Sequence, residues 1–205
     1  LAALGLDSVE LGVQTFDDAV LETARRGHTG ADALKACRDV REAGMGLTVQ
    51  LLPGLPGHTP PGLARDVDFC LRAMPAAVRL PPCLVLAGTG LEELWRAGRF
   101  EPWALPATVE ALALAVDRLW GADIAVSRIG LAPEPSLERA VLAGPRHPAL
   151  GTMVRARAVL AEVARRLDGR RAVRLEAPQR VSGELFGHAR ELERAYESLG
   201  LARDR

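Results

Sequence analysis

Val9-Glu10-Leu11-Gly12-Val13-Gln14-Thr15 alternates strictly between apolar and polar positions. Val9, Leu11 and Val13 share one face and Glu10, Gly12 and Gln14 the other. That is the period-2 pattern of a strand packed on one side. Strands of the same kind recur at 47–52 and 77–80, and another is expected at 123–131. Between them lie helical patterns. Thr29-Gly30-Ala31-Asp32 resembles an N-cap with an acid three residues on, and opens a helix with Ala33, Leu34, Cys37 and Val40 on one face that stops at Gly44. Thr59 caps the next, whose first turn holds Pro60 and Pro61, where missing N–H groups cost little. Its apolar face is Leu63, Val67, Cys70, Leu71 and Met74. Helices are also expected over 91–97 and 107–120. Strands alternating with helices of this length predict an α/β fold built from parallel β-α units.

The remainder reads differently. Residues 132–148 are rich in Pro and Gly without a period, which predicts a long loop. A helix over 150–167, a strand over 172–175 and a helix over 183–199 are expected to follow. At the other end, Leu1-Ala2-Ala3-Leu4-Gly5 reads as the last turn of a helix with no start signal and no Met before it. The expectation is a chain that begins inside something larger.

All three early strands place polar side chains on one face: Glu10 and Gln14, Thr48 and Gln50, then Arg79. Buried polar groups need partners. Either a ligand occupies this face, as polar layers in parallel sheets usually indicate, or water solvates it.

Composition narrows the rest. Basic and acidic residues balance at 26 each, so net charge offers no argument for nucleic acid or an anionic membrane. Lys35 is the only lysine and asparagine is absent, which reads as codon bias. No apolar run reaches the roughly 18 residues of a membrane span. Cys37, Cys70 and Cys83 are dispersed and odd in number, which suits a cytoplasmic, reducing setting. Cys37 and Cys70 fall on apolar helix faces, Cys83 reads as a packing residue, and no trio has metal-ligand spacing. His58 reads as a solvated loop residue and His188 as surface. Arg165, Arg166, Arg170, Arg171 and Arg174 form either an RNA-phosphate contact or, more simply, a solvated helix end.

Several short motifs, in order, resemble one family. Glu10-Leu11-Gly12-Val13-Gln14-Thr15-Phe16 is similar to the fourth barrel strand of coproporphyrinogen-oxidase-like radical S-adenosylmethionine (SAM) proteins. Arg26-Gly27-His28-Thr29 resembles Elongator's catalytic subunit and its bacterial relatives. Gly54-Leu55-Pro56-Gly57 resembles the turn after the fifth strand. Arg79-Leu80-Pro81-Pro82-Cys83-Leu84, with Gly88-Thr89-Gly90-Leu91, resembles the sixth strand and its continuation. Arg128-Ile129-Gly130-Leu131 and Gly144-Pro145-Arg146-His147-Pro148 look like the bacterial Elongator-like branch.

The resemblance implies a partial (β/α)6 radical SAM barrel. Residues 1–131 would form its C-terminal half, and 132–205 a small α/β C-terminal extension. It implies SAM and a [4Fe–4S] cluster as cofactors, with reductive cleavage of SAM to a 5′-deoxyadenosyl radical. The C-x3-C-x2-C loop that holds the cluster is absent from these 205 residues, so a separate N-terminal cluster-binding segment is the implied partner. By position, Gln14, Arg26, Gln50 and Leu84 correspond to cofactor-binding residues. Glu10, His28, Arg79, Arg128 and His147 are the candidates for substrate, with His28 alternatively fixing its own turn. The implied substrate is tRNA or a small metabolite. The alternatives are porphyrinogen decarboxylation and a cluster-less module that binds a ligand through the barrel face.

Overall fold

The computed structural model describes residues 5–131, 134–171 and 174–201. Strand β1 (Ser8–Gln14) is followed by the short helix α1 (Asp18–Thr23) and by α2 (Gly30–Glu42). Then come β2 (Gly46–Leu51), α3 (Pro60–Ala73), β3 (Ala77–Leu80), β4 (Val85–Leu86), α4 (Gly90–Arg96), α5 (Leu105–Gly121) and β5 (Ala125–Ile129). The chain continues through α6 (Pro135–Ala140), β6 (Val141–Ala143), α7 (Leu150–Leu167), α8 (Ser182–Leu185) and α9 (Glu193–Ser198).

Strands β1, β2, β3 and β5 form one sheet in that order, and every pairing is parallel. The three strands read from alternation therefore lie side by side as expected. Their apolar faces turn the same way. Val13, Leu47, Val49, Leu51, Val78 and Leu80 are buried against Cys37 and Val40 of α2, Leu63 and Val67 of α3, and Leu112 and Val116 of α5. The described helices pack on this face, and the four parallel strands make an open half-barrel with Glu10 and Gly12 exposed on its other side.

Local signals explain the helix starts. Thr29 and Asp32 form a reciprocal capping box, and the Thr59 hydroxyl accepts from the Gly62 N–H. The Thr29 hydroxyl and backbone N–H hold the Asp32 carboxyl below the usual carboxylate range. Helix α5 buries Val109, Ala111, Leu112, Ala113, Ala115, Val116 and Leu119, more than one stripe can account for. It is covered twice, by the sheet and by α7, whose Leu150, Val154 and Ala158 belong to the same core. Arg165 clasps the Asp117 carboxylate of α5 with two 2.8 Å bonds.

Three expectations need correction, and α1 forms over a stretch for which periodicity predicts no element. Residues 132–148 are not one loop, because α6 and β6 form there and β6 pairs antiparallel with β4. Strands of two and three residues are too short for periodicity to register. The helix expected over 183–199 is broken: α8 and α9 flank a 3-10 turn at His188–Arg190, and Gly187 at φ +75 interrupts the helical backbone. Of the strand expected over 172–175, residues 172–173 lie outside the described residues, and 174–175 are not in a strand. The expected helical turn at 1–5 likewise falls mostly on residues 1–4, outside the described residues.

Candidate functional site

Parallel sheets present ligands at the C-terminal ends of their strands. Here that rim gathers the ends of β1, β2, β3 and β5. On the open face below it, Arg79 Nη1 lies 2.5 Å from Glu10 Oε1, reaching diagonally across β2. The pair is partly exposed, so it adds roughly 0–1 kcal/mol to stability. Arg79 Nε is buried and has no partner among the described residues. Gln50 sits in register with Arg79, and Arg79 in register with Arg128 of β5, beyond a bulge. Two guanidinium groups on adjacent strands repel unless something neutralises them. Glu10 serves Arg79, while among the described residues no ion pair or hydrogen bond holds Arg128, so the face is anion-receptive at its β5 side.

Gln14 ends β1 in an unusual backbone state. Its φ is +69, and the Thr15 N–H donates to the Val13 carbonyl at 2.9 Å. This is a γ-turn of the strained, positive-φ form. The Gln14 carbonyl accepts from the Leu52 N–H at 2.7 Å, which stitches the turn to the end of β2. The residue is only 3% exposed. Its Nε2 folds back over Gly12, 2.8 Å from where a Cβ there would stand. Gly12 is therefore what lets the amide lie on the Glu10 side of the sheet, the face that strand parity predicts for it.

Beside this turn, His28 Nε2 is 3.2 Å from the Val13 carbonyl and its Nδ1 is 3.3 Å from the Arg26 carbonyl. The imidazole thus anchors the Arg26 loop to the outer edge of β1. The Arg26 side chain is exposed, with no hydrogen bond or ion pair among the described residues. Leu84 and His147 lie elsewhere on the rim. With Pro82, Ile129, Leu131 and Glu138 they line a cavity of about 230 Å³ past the ends of β3 and β5. His147 Nδ1 accepts from the Ala149 N–H at 3.0 Å, and its ring meets His188 edge-on at 4.9 Å. The candidate residues therefore fall into two groups. Gln14, Arg26 and His28 sit at β1, Leu84 and His147 at β3 and β5, and Gln50 and Arg79 lie between them. Three strand spacings separate the ends, roughly 14 Å.

His58 is not a solvated loop residue. It is 4% exposed, and its Nε2 lies 3.2 Å from Oδ2 of Asp66, which is 1% exposed. That approach is close but off the line of a well-formed hydrogen bond. Asp66 Oδ1 accepts from Thr15 Oγ1 at 3.0 Å and from the Phe16 N–H at 2.8 Å. The signal was present in the sequence: Asp66 interrupts the apolar stripe of Leu63, Val67 and Cys70, so a carboxylate had to be buried. The Arg cluster also resolves in part, since Arg165 and Arg166 both contact Glu162, and Arg174 contacts Glu176.

The cysteines do not form a metal centre. All three are buried and free. Burial pushes the Cys70 thiol up, with Asp66 and Cys37 adding to it, and burial lifts Cys83 to about 12. Among the described residues no three His, Cys, Asp or Glu side chains converge on a metal-sized site, so a [4Fe–4S] cluster does not fit them. A labelling experiment checks this. With native chain at pH 8, a thiol alkylating agent is expected to modify almost none of the three cysteines, and all three in denaturant. Rapid modification of even one in the native chain would contradict its place in the core.

No described helix is long and apolar enough to cross a membrane. Residues 1–70 match the radical SAM superfamily and residues 75–161 the Radical SAM C-terminal domain. The tRNA uridine(34) acetyltransferase of Methanocaldococcus infernus is 33% identical over 115 residues, which is 55% of this chain and 22% of that protein. That of Dehalococcoides mccartyi is 38% identical over 102 residues, 48% of this chain and 22% of that one. Human Elongator complex protein 3 is 30% identical over 115 residues, 53% of this chain and 20% of its own. Among solved structures, Methanocaldococcus infernus Elp3 lacking its N-terminal residues 1–46 superposes with a TM-score of 0.67 at 27% identity, covering 82% of this chain and 38% of that one. The chain thus spans about a fifth of the length of these curated relatives. With both radical SAM signatures in sequence order on a parallel half-barrel that superposes on Elp3, the chain belongs to the radical SAM superfamily of enzymes.

Proposed function

We propose that this chain is the SAM-side and substrate-side rim of an Elongator-like radical SAM enzyme that acts on tRNA. The observation that carries the reading is Gln14, a buried amide held in a strained turn at the C-terminal rim of the half-barrel. Strain of this kind concentrates at functional sites. SAM, when bound and reductively cleaved, supplies a 5′-deoxyadenosyl radical. In this reading Gln14 and Gln50 hydrogen-bond its polar groups, and Arg26 contributes charge from the loop that His28 anchors. Leu84 gives an apolar wall at the far end. Arg79 Nε and Arg128, neither with a partner among the described residues, suit an anionic substrate, and a nucleic-acid phosphate is one. Glu10 holds Arg79 in place, and His147 borders the cavity at the substrate end. The cluster ligands are assigned to polypeptide other than these residues.

The test has two parts. Anaerobic reconstitution of the 205 residues alone with iron and sulfide is expected to give no stoichiometric [4Fe–4S] absorption. When the chain is completed by the polypeptide that carries the cysteine loop, 5′-deoxyadenosine release is expected, and tRNA is expected to stimulate it. Release indifferent to tRNA would remove the substrate assignment. No release from the cluster-loaded complex would remove the SAM assignment. A cluster retained by the 205 residues after desalting would mean the thiolates are misplaced here.

A further inference from the structure

Gln14 occupies a backbone state that a non-glycine residue adopts only when its surroundings over-determine it. The restraint comes from below the sheet. Asp66 Oδ1, on the buried face of α3, takes both the Thr15 hydroxyl and the Phe16 N–H, the two groups that follow the turn. Thr15 Oγ1 in turn accepts from the Asp17 N–H at 3.1 Å, so the chain leaving β1 is held at three successive residues. The other carboxylate oxygen faces His58. The Gly54 N–H donates to His58 Nδ1 at 3.3 Å, which leaves the ring proton on Nε2, toward Asp66. Trp103 Nε1 donates to the His58 carbonyl at 3.1 Å, and its ring lies against Gly54. The Pro53 carbonyl accepts from the Cys83 N–H at 2.8 Å, next to Leu84. A set of polar contacts thus runs from the Gln14 turn, through Asp66 and His58, to the loop after β2 and on to the segment that lines the cavity, with the 3.2 Å His58–Asp66 approach the link that is not a well-formed hydrogen bond.

We propose that Asp66 is a positioning residue that holds Gln14 in its strained turn, and that His58 joins that turn to the Gly54–Pro56 loop. Neither touches the open face, so neither is a catalytic residue. A buried carboxylate serving only stability would be a poor choice, since apolar replacements of buried polar networks are often neutral or stabilising. Its value lies in the geometry it imposes. The inference rests on the proposed function only in giving Gln14 a ligand; the turn itself is read directly.

Nuclear magnetic resonance on the isotopically labelled 205-residue chain provides that reading. The wild type is expected to show a cross-peak between the Gln14 side-chain amide protons and the Gly12 α-protons, because Nε2 lies over Gly12. Asp66→Ala is expected to abolish it, while methyl signals of Val49 and Leu112 keep their positions. Asp66→Asn keeps an oxygen for Thr15 and Phe16 and is expected to retain the cross-peak, but to shift the Gly54 amide, because a side-chain amide now faces the protonated Nε2 of His58. Thr15→Ser is expected to retain the cross-peak and Thr15→Val to weaken it severalfold. Leu112→Ala, a buried change outside the network, is expected to lower stability and leave the cross-peak intact. Should Asp66→Ala not fold, the near-isosteric Thr15→Val decides by the same criterion. A cross-peak that survives Asp66→Ala and Thr15→Val, or vanishes equally in Leu112→Ala, overturns the proposal. Failure of SAM binding with the turn intact would fall on the proposed function instead.

Discussion

Gly30→Ala is expected to destabilise the fold by about 3 kcal/mol, a fall of roughly 6–12 °C in melting temperature for a domain of this size. Gly30 opens α2 directly beneath the exit of β1. A Cβ there would stand 2.3 Å from the Phe16 carbonyl oxygen and 3.1 Å from its carbon. Neither partner can retreat. The Phe16 N–H is bound to Asp66 and its ring stacks on Phe69 at 4.8 Å, while the Gly30 N–H is tied to Asp18 Oδ1 at 2.7 Å. The strain would fall on the segment that carries Gln14, so the amide over Gly12 should be disturbed as well. Gly90 gives an internal control. It also opens a helix, α4, behind a threonine cap, and a Cβ there meets nothing within 4 Å. Gly90→Ala is expected to change stability by no more than about 0.5 kcal/mol. Thermal melts of the two variants check the pair, and similar melting temperatures would refute the close approach at Gly30.

The second large effect separates strain from function at Gln14. Both Gln14→Ala and Gln14→Gly remove the amide, but only glycine adopts φ +69 without cost. Gln14→Gly is therefore expected to be about 1 kcal/mol more stable than Gln14→Ala. Both are expected to weaken SAM binding roughly tenfold in the protein completed with its cluster-bearing polypeptide, as is Arg26→Ala, since hydrogen bonds to charged groups contribute about 1.5–3 kcal/mol. Denaturant melts of the 205-residue chain measure the first difference and calorimetry with SAM the second. Equal stability of the two Gln14 variants would mean the turn is unstrained. Unchanged affinity in all three would detach these residues from the cofactor while leaving the fold untouched.

The two effects share a cause. The rim is built where β1 leaves the sheet, and one short segment there serves packing, capping and the site together. Phe16 packs in the core, Thr15 and the Phe16 N–H hold Asp66, and the Gln14 amide lies over Gly12. A single methyl group at Gly30 presses on the Phe16 backbone within that segment.

Much of this was legible in the residues alone, because the pattern of a strand is local. Alternation at 9–15, 47–52 and 77–80 determined which side chains meet the helices and which do not, and hence that Glu10, Gln50 and Arg79 share the open face. Pro, Gly and Thr at their positions determined where α2 and α3 begin. What periodicity could not reach were features defined by partners far apart in sequence. The β4–β6 pair joins segments more than fifty residues apart and has no repeat to read. The cavity at Leu84 and His147 exists only because the ends of β3 and β5 and the chain before α7 come together. His58 reads as a loop residue from its glycine and proline neighbours; the α3 stripe marks Asp66 for burial, but only tertiary packing sets that carboxylate opposite His58. The sign of φ at Gln14 belongs to the same class. Alternation places its side chain on the correct face, but the turn that strains it is imposed by Asp66, fifty-two positions on and on another element. A strand's faces follow from bonds between neighbours, whereas a strained turn persists only through contacts that the folded chain brings to it.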